Sequence, residues 1–549
     1  MERISRNAPA LLLAAALGTG IAMTLVLTSE TTFFQDTWAF LINRREVTPD
    51  ALFEPHNEHL VVFPVLIEML LVRVFGMTSA LPEQVLLALF LAATALLLYV
   101  YVKRRVGPWP GLFAAILVLC LGPAWEVLIW PFEVTFIGPI LFGIAMLLAL
   151  EREDRRGDVA ACAFLTLAIG FSGLGVPFIA GAAVAILQGP RGTWLRRAYI
   201  VAIPLALYAA WYVGWGHDAE THLTLRNVLD SPSFVADSIS VALASLVGFG
   251  TQIGGAPDLS WGRALLVGLV LVLAYRLVRK PKVPRGLWPV AAAATANWFL
   301  MAFNEFAGRA PISSRYQYAS AIFILMILAN LFKGARPSRP VLIALGVGVA
   351  LAVGPNLVIL SDARKIQDQQ SLLTRSDTAA IEIARRSVDP DFQLTQLVAG
   401  TPSLINIYAG EYLATVDEYG SPAFSVAELA SAPPGGRRQA DIVLSQALPL
   451  STDIRNGVFD AGGGRESCVA VTAGKPEEVR LDPGATRIEV PPGPAASFSL
   501  RRFADKGDYP VATTGAAGES TTTLRIPRDE ASRPWYLHVV AEQPVRVCR

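Results

Sequence analysis

Apolar runs of helix-forming length recur along the first two thirds of the chain, separated by short polar and basic stretches. From Ala8 to Leu27 the run "APALLLAAALGTGIAMTLVL" is long enough for a helix to cross the roughly 30 Å hydrocarbon core of a bilayer. Similar runs lie at residues 82–102, 109–122, 135–150, 160–173, 176–187, 199–215, 264–278, 287–304, 316–332 and 341–360. They predict a polytopic α-helical membrane protein with about eleven spans. The first run follows Arg3 and Arg6, is long for the core of a signal peptide and is followed by no A-x-A site, so it is read as an uncleaved span with a cytoplasmic N-terminus.

Beyond residue 360 the pattern changes. Polar helical sequence, "IQDQQSLLTRSDTAAIEIARRS", gives way to Pro- and Gly-rich sequence with short alternating runs such as "TRIEV", "SFSLRRF", "TTTLRIP" and "WYLHVVA". Alternation bounded by turn residues predicts a β-sandwich or jelly-roll-like domain on a helical stalk. The expected organisation is a transmembrane domain over residues 1–360, a stalk over 361–400 and a β-rich domain over 401–549.

Composition agrees: of 549 residues 53% are hydrophobic and 17% charged, and the mean hydropathy is +0.46. A formal net charge of +1 excludes the broad basic field that nucleic-acid binding requires. The placement of charge carries more information. With spans alternating from a cytoplasmic start, the basic clusters that begin at Lys103, Glu151, Arg191, Arg276 and Lys333 all fall on one side. That is the positive-inside pattern of a plasma-membrane protein. It leaves the loops at 28–81 and 216–262, and everything after residue 360, outside the cytoplasm. In the second loop "SFVADSISVALASLVGFG" is weakly apolar and is read as an interfacial or re-entrant helix. Cys468 and Cys548 bracket the β region on the oxidising side, where they can form one disulfide or stay two separate thiols.

The candidate chemistry gathers in the outer loops. "EPHNEHLVVFPVLIEMLLVRVFG" sets His56, Asn57, Glu58 and His59 at the lip of a segment too short to span, which carries Glu68 and Arg73 and so lies along the membrane surface. Asn57 suits an N-cap for that helix, with Glu58 in its first turn, and Pro64 should kink it. Asp36 stands just past the first span beside Phe33, Phe34 and Trp38. A carboxylate there suits a general base acting on a substrate that straddles lipid and water. Arg309, in the loop before the run from Tyr316, and Arg315, at the start of that run, suit a phosphate, because guanidinium groups bind it in a fork. Anchoring among lipid headgroups suits Arg309 equally well and Arg315 less well. Tyr316 adds a hydroxyl. Trp125 and Glu126 suit stacking on and hydrogen bonding to a sugar, while an interfacial aromatic belt explains the tryptophan as well. His56 and His59 have a spacing usable for a metal, but ordinary hydrogen-bonding loop histidines are the simpler reading. "FSGLGV" reads as a tight hairpin between spans. No P-loop or dinucleotide fingerprint is present, so nothing suggests a soluble nucleotide donor.

Asp36 with Trp38, the following "PHNEH" and its surface helix, "FSGLGVPF" and "SRYQY" together resemble the GT-C membrane glycosyltransferases, especially bacterial and actinobacterial members that draw sugars from polyprenyl-phosphate carriers. The resemblance covers the layout of residues 1–360. It implies an enzyme that transfers a sugar from a polyprenyl-phosphate donor to an extracytoplasmic glycan or lipid acceptor of the cell envelope. In that superfamily an acid of the first outer loop acts as base or helps hold a metal, a role that maps onto Asp36. Many members have two adjacent acids where this chain has "QDT", which makes Glu58 the candidate second carboxylate, and a divalent cation, Mg or Mn, the implied cofactor. The alternative is a non-catalytic membrane-anchored glycan-binding or scaffold protein. A transporter would place ionisable residues deep in several spans, and here those positions are almost entirely apolar.

Overall fold

The structure, a computed structural model, describes residues 2–219, 222–250, 253, 259–306, 308–394, 404–456, 468–474, 477–490, 496–516 and 520–548, with the side chains of residues 2–6 (Arg3 and Arg6 among them), 452, 454–456 and 514–516 outside that description. The expected boundary near residue 400 also falls outside the described residues. The chain forms two compact units. The first holds Met1–Glu30, Asn43–Leu71 and Leu81–Gln367; the second holds Thr31–Ile42, Val72–Ala80 and Asp368–Arg549. The division therefore differs from the one expected: two pieces of the first loop group with the C-terminal region.

In chain order the helices are α1 (Glu2–Leu27), α2 (Asp36–Asn43), α3 (Pro49–Phe53), α4 (Val62–Phe75), α5 (Leu81–Val106), α6 (Pro108–Leu119), α7 (Trp125–Ile129), α8 (Val134–Leu150), α9 (Arg155–Phe171) and α10 (Pro177–Leu187). They continue with α11 (Trp194–Arg197), α12 (Tyr199–Gly214), α13 (Leu225–Leu246), α14 (Ser260–Arg279), α15 (Leu287–Phe303), α16 (Ser314–Leu331) and α17 (Arg339–Ala384). Among the described residues six helical stretches are long and apolar enough to cross a membrane, and a seventh if α6 and the following helical turn up to Ile129, bent by 51°, count as one span. This is fewer than the sequence pattern suggests because several apolar helices are short: α9 and α15 have 17 residues each and α10 has 11.

Ion pairs tie the basic clusters together at one end of the first unit. Arg104 and Arg105 at the end of α5 both pair with Glu151 beyond α8. The Nε of Arg105 donates to Asn330 at the end of α16 at 2.9 Å, and its carbonyl accepts from Gly334. Arg197 pairs with Asp158 at 2.7 Å, and Arg276 donates to the Leu331 carbonyl at 3.0 Å. At 1.5 Å per residue, α16 carries the chain about 22 Å from Asn330 back to Arg315, so Arg315 lies at the opposite end of the unit.

Helix α13 meets only that opposite end. Near its start, Asn227 binds the carbonyls of Phe303 and Glu305 where α15 finishes. Near its finish, Ser245 bonds Gln317 in the first turn of α16 at 2.6 Å, and its carbonyl accepts from Asn356 of α17. Between these, a Cβ on Gly262, in the first turn of α14, would stand 2.5 Å from the Ser240 carbonyl. A helix whose two ends touch the same ends of several spans lies across them. Its high amphipathicity follows, since one face packs on the helix ends and the other, with Leu225 and Leu229, stays exposed.

The second unit joins the end of α17 to α18 (Ala409–Tyr419), α19 (Val426–Ser431), α20 (Pro434–Ala447) and nine strands. These are β1 (Ser451–Asn456), β2 (Cys468–Val471), β3 (Glu477–Leu481), β4 (Gly484–Val490), β5 (Ala496–Arg501), β6 (Val511–Ala516), β7 (Ser520–Ile526), β8 (Trp535–Val540) and β9 (Val545–Cys548). They form antiparallel sheets in the orders β1-β7-β4-β9-β2 and β3-β8-β5-β6. Alternate residues point inward, as the period of two demands: Ile488 and Val490 from one sheet, and Phe498, Leu500, Leu537 and Val539 from the other, belong to one buried cluster. Cys468 and Cys548 are directly opposite on β2 and β9, with Cα atoms 4.0 Å apart, and form a disulfide. From the first loop, Trp38 is fully buried and meets Tyr412 edge-on at 5.8 Å, and Met77 N–H donates to the Tyr419 carbonyl.

Candidate functional site

The site is built on a two-residue turn. His56 and His59 exchange backbone hydrogen bonds of 3.1 and 3.0 Å, leaving Asn57 and Glu58 at the tip. Asn57 has φ of 53°, in the left-handed region that asparagine tolerates better than most residues. Its expected role as N-cap is thus corrected: α4 begins at Val62, and Asn57 turns the chain instead. Pro64 falls in the first turn of α4, where its missing N–H costs no helical bond, so the expected kink has no cause. Behind the turn, Arg44 donates to the carbonyls of Ala51 and Pro55, Thr48 caps α3, and Trp211 and Trp215 reach the Phe53 carbonyl and Asp50 at 2.7 and 3.0 Å. The turn is therefore braced by α12.

Glu58 meets Arg309 with both carboxylate oxygens, on Nη1 and on Nη2 at 2.9 Å. His59 Nε2 lies 3.3 Å from the same carboxylate. Burial alone would raise the pKa of Glu58, but His59 and Arg309 together outweigh it and hold the group below its usual range. Burial pushes His59 down to about 4; Glu58 opposes this, while Arg309, His56 and Arg315 add to it. His59 is therefore a neutral imidazole at pH 7. A Cβ on Gly173 would stand 2.6 Å from His59 Nδ1, so the first glycine after the serine of "FSGLGV" is what admits the ring. The hairpin reading of that motif holds locally, as a single 3-10 turn, Gly173–Gly175. His56 meets Phe132 edge-on, and Phe132 stacks on Trp130.

A second ion pair stands close by. Arg315 approaches Glu126 at 3.5 Å, its backbone N–H donates to the same oxygen at 3.2 Å, and the Glu126 N–H donates to Ser314 Oγ at 3.1 Å. These bonds lock the α7 segment, with half-buried Trp125, to the start of α16. Tyr316 is buried between the two pairs, within electrostatic reach of Arg309, Arg315, Glu58 and Glu126. The structure thus gathers His56, Glu58, His59, Glu126, Arg309, Arg315 and Tyr316 in the first unit. Asp36 does not join that description: it is the half-buried first residue of α2, after Gln35 with φ of 44°, in the second unit.

Among the described residues no three His, Cys, Asp or Glu side chains gather as a metal site would require. Glu58 would have to leave Arg309 to hold a divalent cation, so the residues present fit such an ion poorly. Sequence reasoning missed Arg44, Trp211, Trp215 and Asn227, all of which act on backbone carbonyls or a distant carboxylate rather than within a motif.

No family model matches the sequence, and no curated protein matches it closely enough to count as a relative. Among the solved structures that resemble it are two with named activities. One is the archaeal oligosaccharyltransferase AglB from Archaeoglobus fulgidus, in complex with an inhibitory peptide and a dolichol-phosphate, at 14% identity and a TM-score of 0.43, covering 82% of this chain and 69% of that one. The other is the arabinosyltransferase EmbB from Mycobacterium smegmatis, at 13% identity and a TM-score of 0.33, covering 98% of this chain and 64% of that one. Both names are of glycosyl-transfer enzymes.

Proposed function

We propose that the chain is a membrane glycosyltransferase that takes a sugar from a polyprenyl-phosphate carrier and gives it to a glycan or lipid acceptor outside the cytoplasm. The observation that carries this reading is the pair of Arg–Glu contacts, Arg309 with Glu58 and Arg315 with Glu126, beside a neutral His59 at the end of the apolar bundle away from the basic clusters. A carrier with its chain in lipid and its phosphate at the surface presents two things such an end can take: an apolar tail along the spans and an anion for two guanidinium groups. In this reading the bundle crosses the plasma membrane about eleven times, including the short apolar helices. The basic end is cytoplasmic, and the second unit carries a β-sandwich outside.

In the reaction the acceptor hydroxyl attacks the anomeric carbon, the bond from that carbon to the phosphate oxygen breaks, and the polyprenyl phosphate leaves with the bonding electrons. Arg309 and Arg315 stabilise the charge that grows on the departing phosphate. The hydroxyl proton goes to a carboxylate, for which Asp36 is proposed from its place in the first outer loop. His59, neutral and oriented by Glu58, and Glu126 with Trp125 suit contacts to sugar hydroxyls. A divalent cation belongs to this reading only if Glu58 exchanges Arg309 for it. The test is transfer of radiolabelled sugar from a polyprenyl-phosphate donor by the purified full chain. Arg315→Ala and Asp36→Asn should each keep normal membrane levels and lose transfer by a hundredfold or more, on the order of the usual contribution of such groups. Near-normal transfer by both variants would put the scaffold reading ahead.

A further inference from the structure

Arg309 lies in the loop that joins α15 to α16, and the structure shows what holds that loop. Asn227, in the first turn of α13, donates from its side-chain amide to three carbonyls: His222 at 3.0 Å, Phe303 at 3.2 Å and Glu305 at 2.9 Å. Thr224 caps the same turn, accepting from the Asn227 N–H at 3.1 Å. The loop before α13 and the loop after α15 are thereby clasped together. Above this clasp the His222 ring lies against the Phe306 ring, with centroids 4.2 Å apart. The Arg309 guanidinium in turn lies over the Phe306 ring at 4.7 Å. Phe306 is 40% exposed, so core packing does not account for it.

We infer that Phe306 is a positioning residue for recognition of the donor phosphate, a conclusion that rests on the glycosyltransferase reading above. The ring face covers the guanidinium plane of Arg309 and restricts its tilt. The two Nη atoms are held toward Glu58, while Nε makes no hydrogen bond among the described residues. An incoming phosphate then meets an arginine whose orientation is already set, which lowers the ordering cost of binding. His222 supports the ring from its own loop, and Asn227 keeps that loop in place. Arg309 is the group that touches phosphate; Phe306 and His222 act through it.

The experiment uses the full chain in detergent and two readouts: binding of a sugar-free polyprenyl phosphate, followed by native mass spectrometry, and steady-state transfer from the sugar-loaded donor. Phe306→Leu keeps apolar bulk without a π face and should weaken polyprenyl-phosphate binding about fivefold, the scale of an exposed cation–π contact. It should raise KM for the donor by a similar factor and leave kcat nearly unchanged, and Phe306→Tyr should restore both. His222→Ala should produce a smaller loss in the same direction, and His222→Phe should reverse it. Arg309→Ala separates this idea from the reading beneath it. If Arg309→Ala binds the lipid phosphate normally, the phosphate assignment fails and the positioning role with it. If Arg309→Ala loses binding while Phe306→Leu does not, or if Phe306→Tyr fails to rescue, the positioning role alone is overturned.

Discussion

His59 sits in surroundings that favour its neutral form, with two arginines near it and little water. Its pKa falls from 6.5 to about 4, so the folded chain binds fewer protons than the unfolded chain between those values. The sign is fixed by that difference: stability is full above about pH 6.5 and is lost as pH falls toward 4, by about 3 kcal/mol if the whole shift is realised. Glu58, also depressed, acts in the same direction, since its contribution disappears as pH falls through its folded pKa. Thermal melts of the detergent-solubilised chain should therefore drop through the mildly acid range, and His59→Gln should flatten the upper part of that drop; an unchanged profile would contradict the assigned environment. Gly173 offers a separate check at the same ring. An alanine there places Cβ 2.6 Å from His59 Nδ1, so Gly173→Ala should cost about 1–3 kcal/mol and displace the histidine, measurable as a lower Tm at pH 7. Several of these residues were legible in the sequence because charge at the edge of an apolar run has few structural uses; Glu58, His59, Arg309 and Arg315 stood out for that reason. The pairing between them was not legible, because Glu58 and Arg309 are 251 residues apart and only the folded bundle brings them together. Asp36 was singled out by its place just past the first span as well as by resemblance, but its grouping with the second unit has no local signature: it follows from Trp38 finding its partner, Tyr412, far along the chain.

Among the elements, α13 tests how far pattern alone can go. The weakly apolar stretch over residues 233–250, which begins within it, predicted an interfacial or re-entrant helix, and at 22 residues α13 is nonetheless long enough, about 33 Å, to cross a bilayer. What decides between the two is contact. Asn227 and Ser245, at opposite ends of α13, bind the same ends of α15 and α16, which a transmembrane helix cannot do. Single cysteines at Leu225 and Val247, both exposed positions, should therefore react with a membrane-impermeant maleimide from the same side in intact cells. Labelling of one and protection of the other until lysis would show that α13 spans. The short apolar helices present the reverse case. Helix α10 reads as a span in sequence yet has only 11 residues, because Gly173–Gly175 takes the chain through a turn just before it, so an apolar run in the sequence and a helix of spanning length are not the same thing here. In the β region the alternating runs were readable, since period two survives in any strand with one buried face, whereas the strand order was not: β2 and β9 are neighbours although 74 residues or more separate them in the chain, a pairing set by the core and the disulfide.

At the scale of the whole molecule, α17 and the disulfide together make the topology testable. Helix α17 begins at Arg339, next to the basic cluster from Lys333, and runs without a break for 46 residues. Its part within the first unit, up to Gln367, has a length of about 42 Å at 1.5 Å per residue, more than the hydrocarbon core requires. If the basic clusters are cytoplasmic, the chain therefore leaves the bilayer on the outer side before the second unit begins. A disulfide persists on that side and is reduced in the cytoplasm. The state of Cys468 and Cys548 thus reports the orientation, and Cys120 and Cys162, lying in the helical unit, do not compete with it. In cells denatured without reductant, a bulky maleimide should shift the mass of the protein by at most two labels, and by four after reduction, because four cysteines are present and two are joined. Cys548→Ser should leave one extra reactive thiol. With a sequence separation of 80 residues between the cysteines, it should also cost the second unit about 4 kcal/mol on the chain-entropy account, read as a lower melting temperature. Four reactive thiols without reductant would place the C-terminal region in the cytoplasm. The site would then stand on the cytoplasmic side as well, since α16 and α17 run antiparallel between the two ends of the unit, and an outward-facing glycosyl transfer would lose its footing.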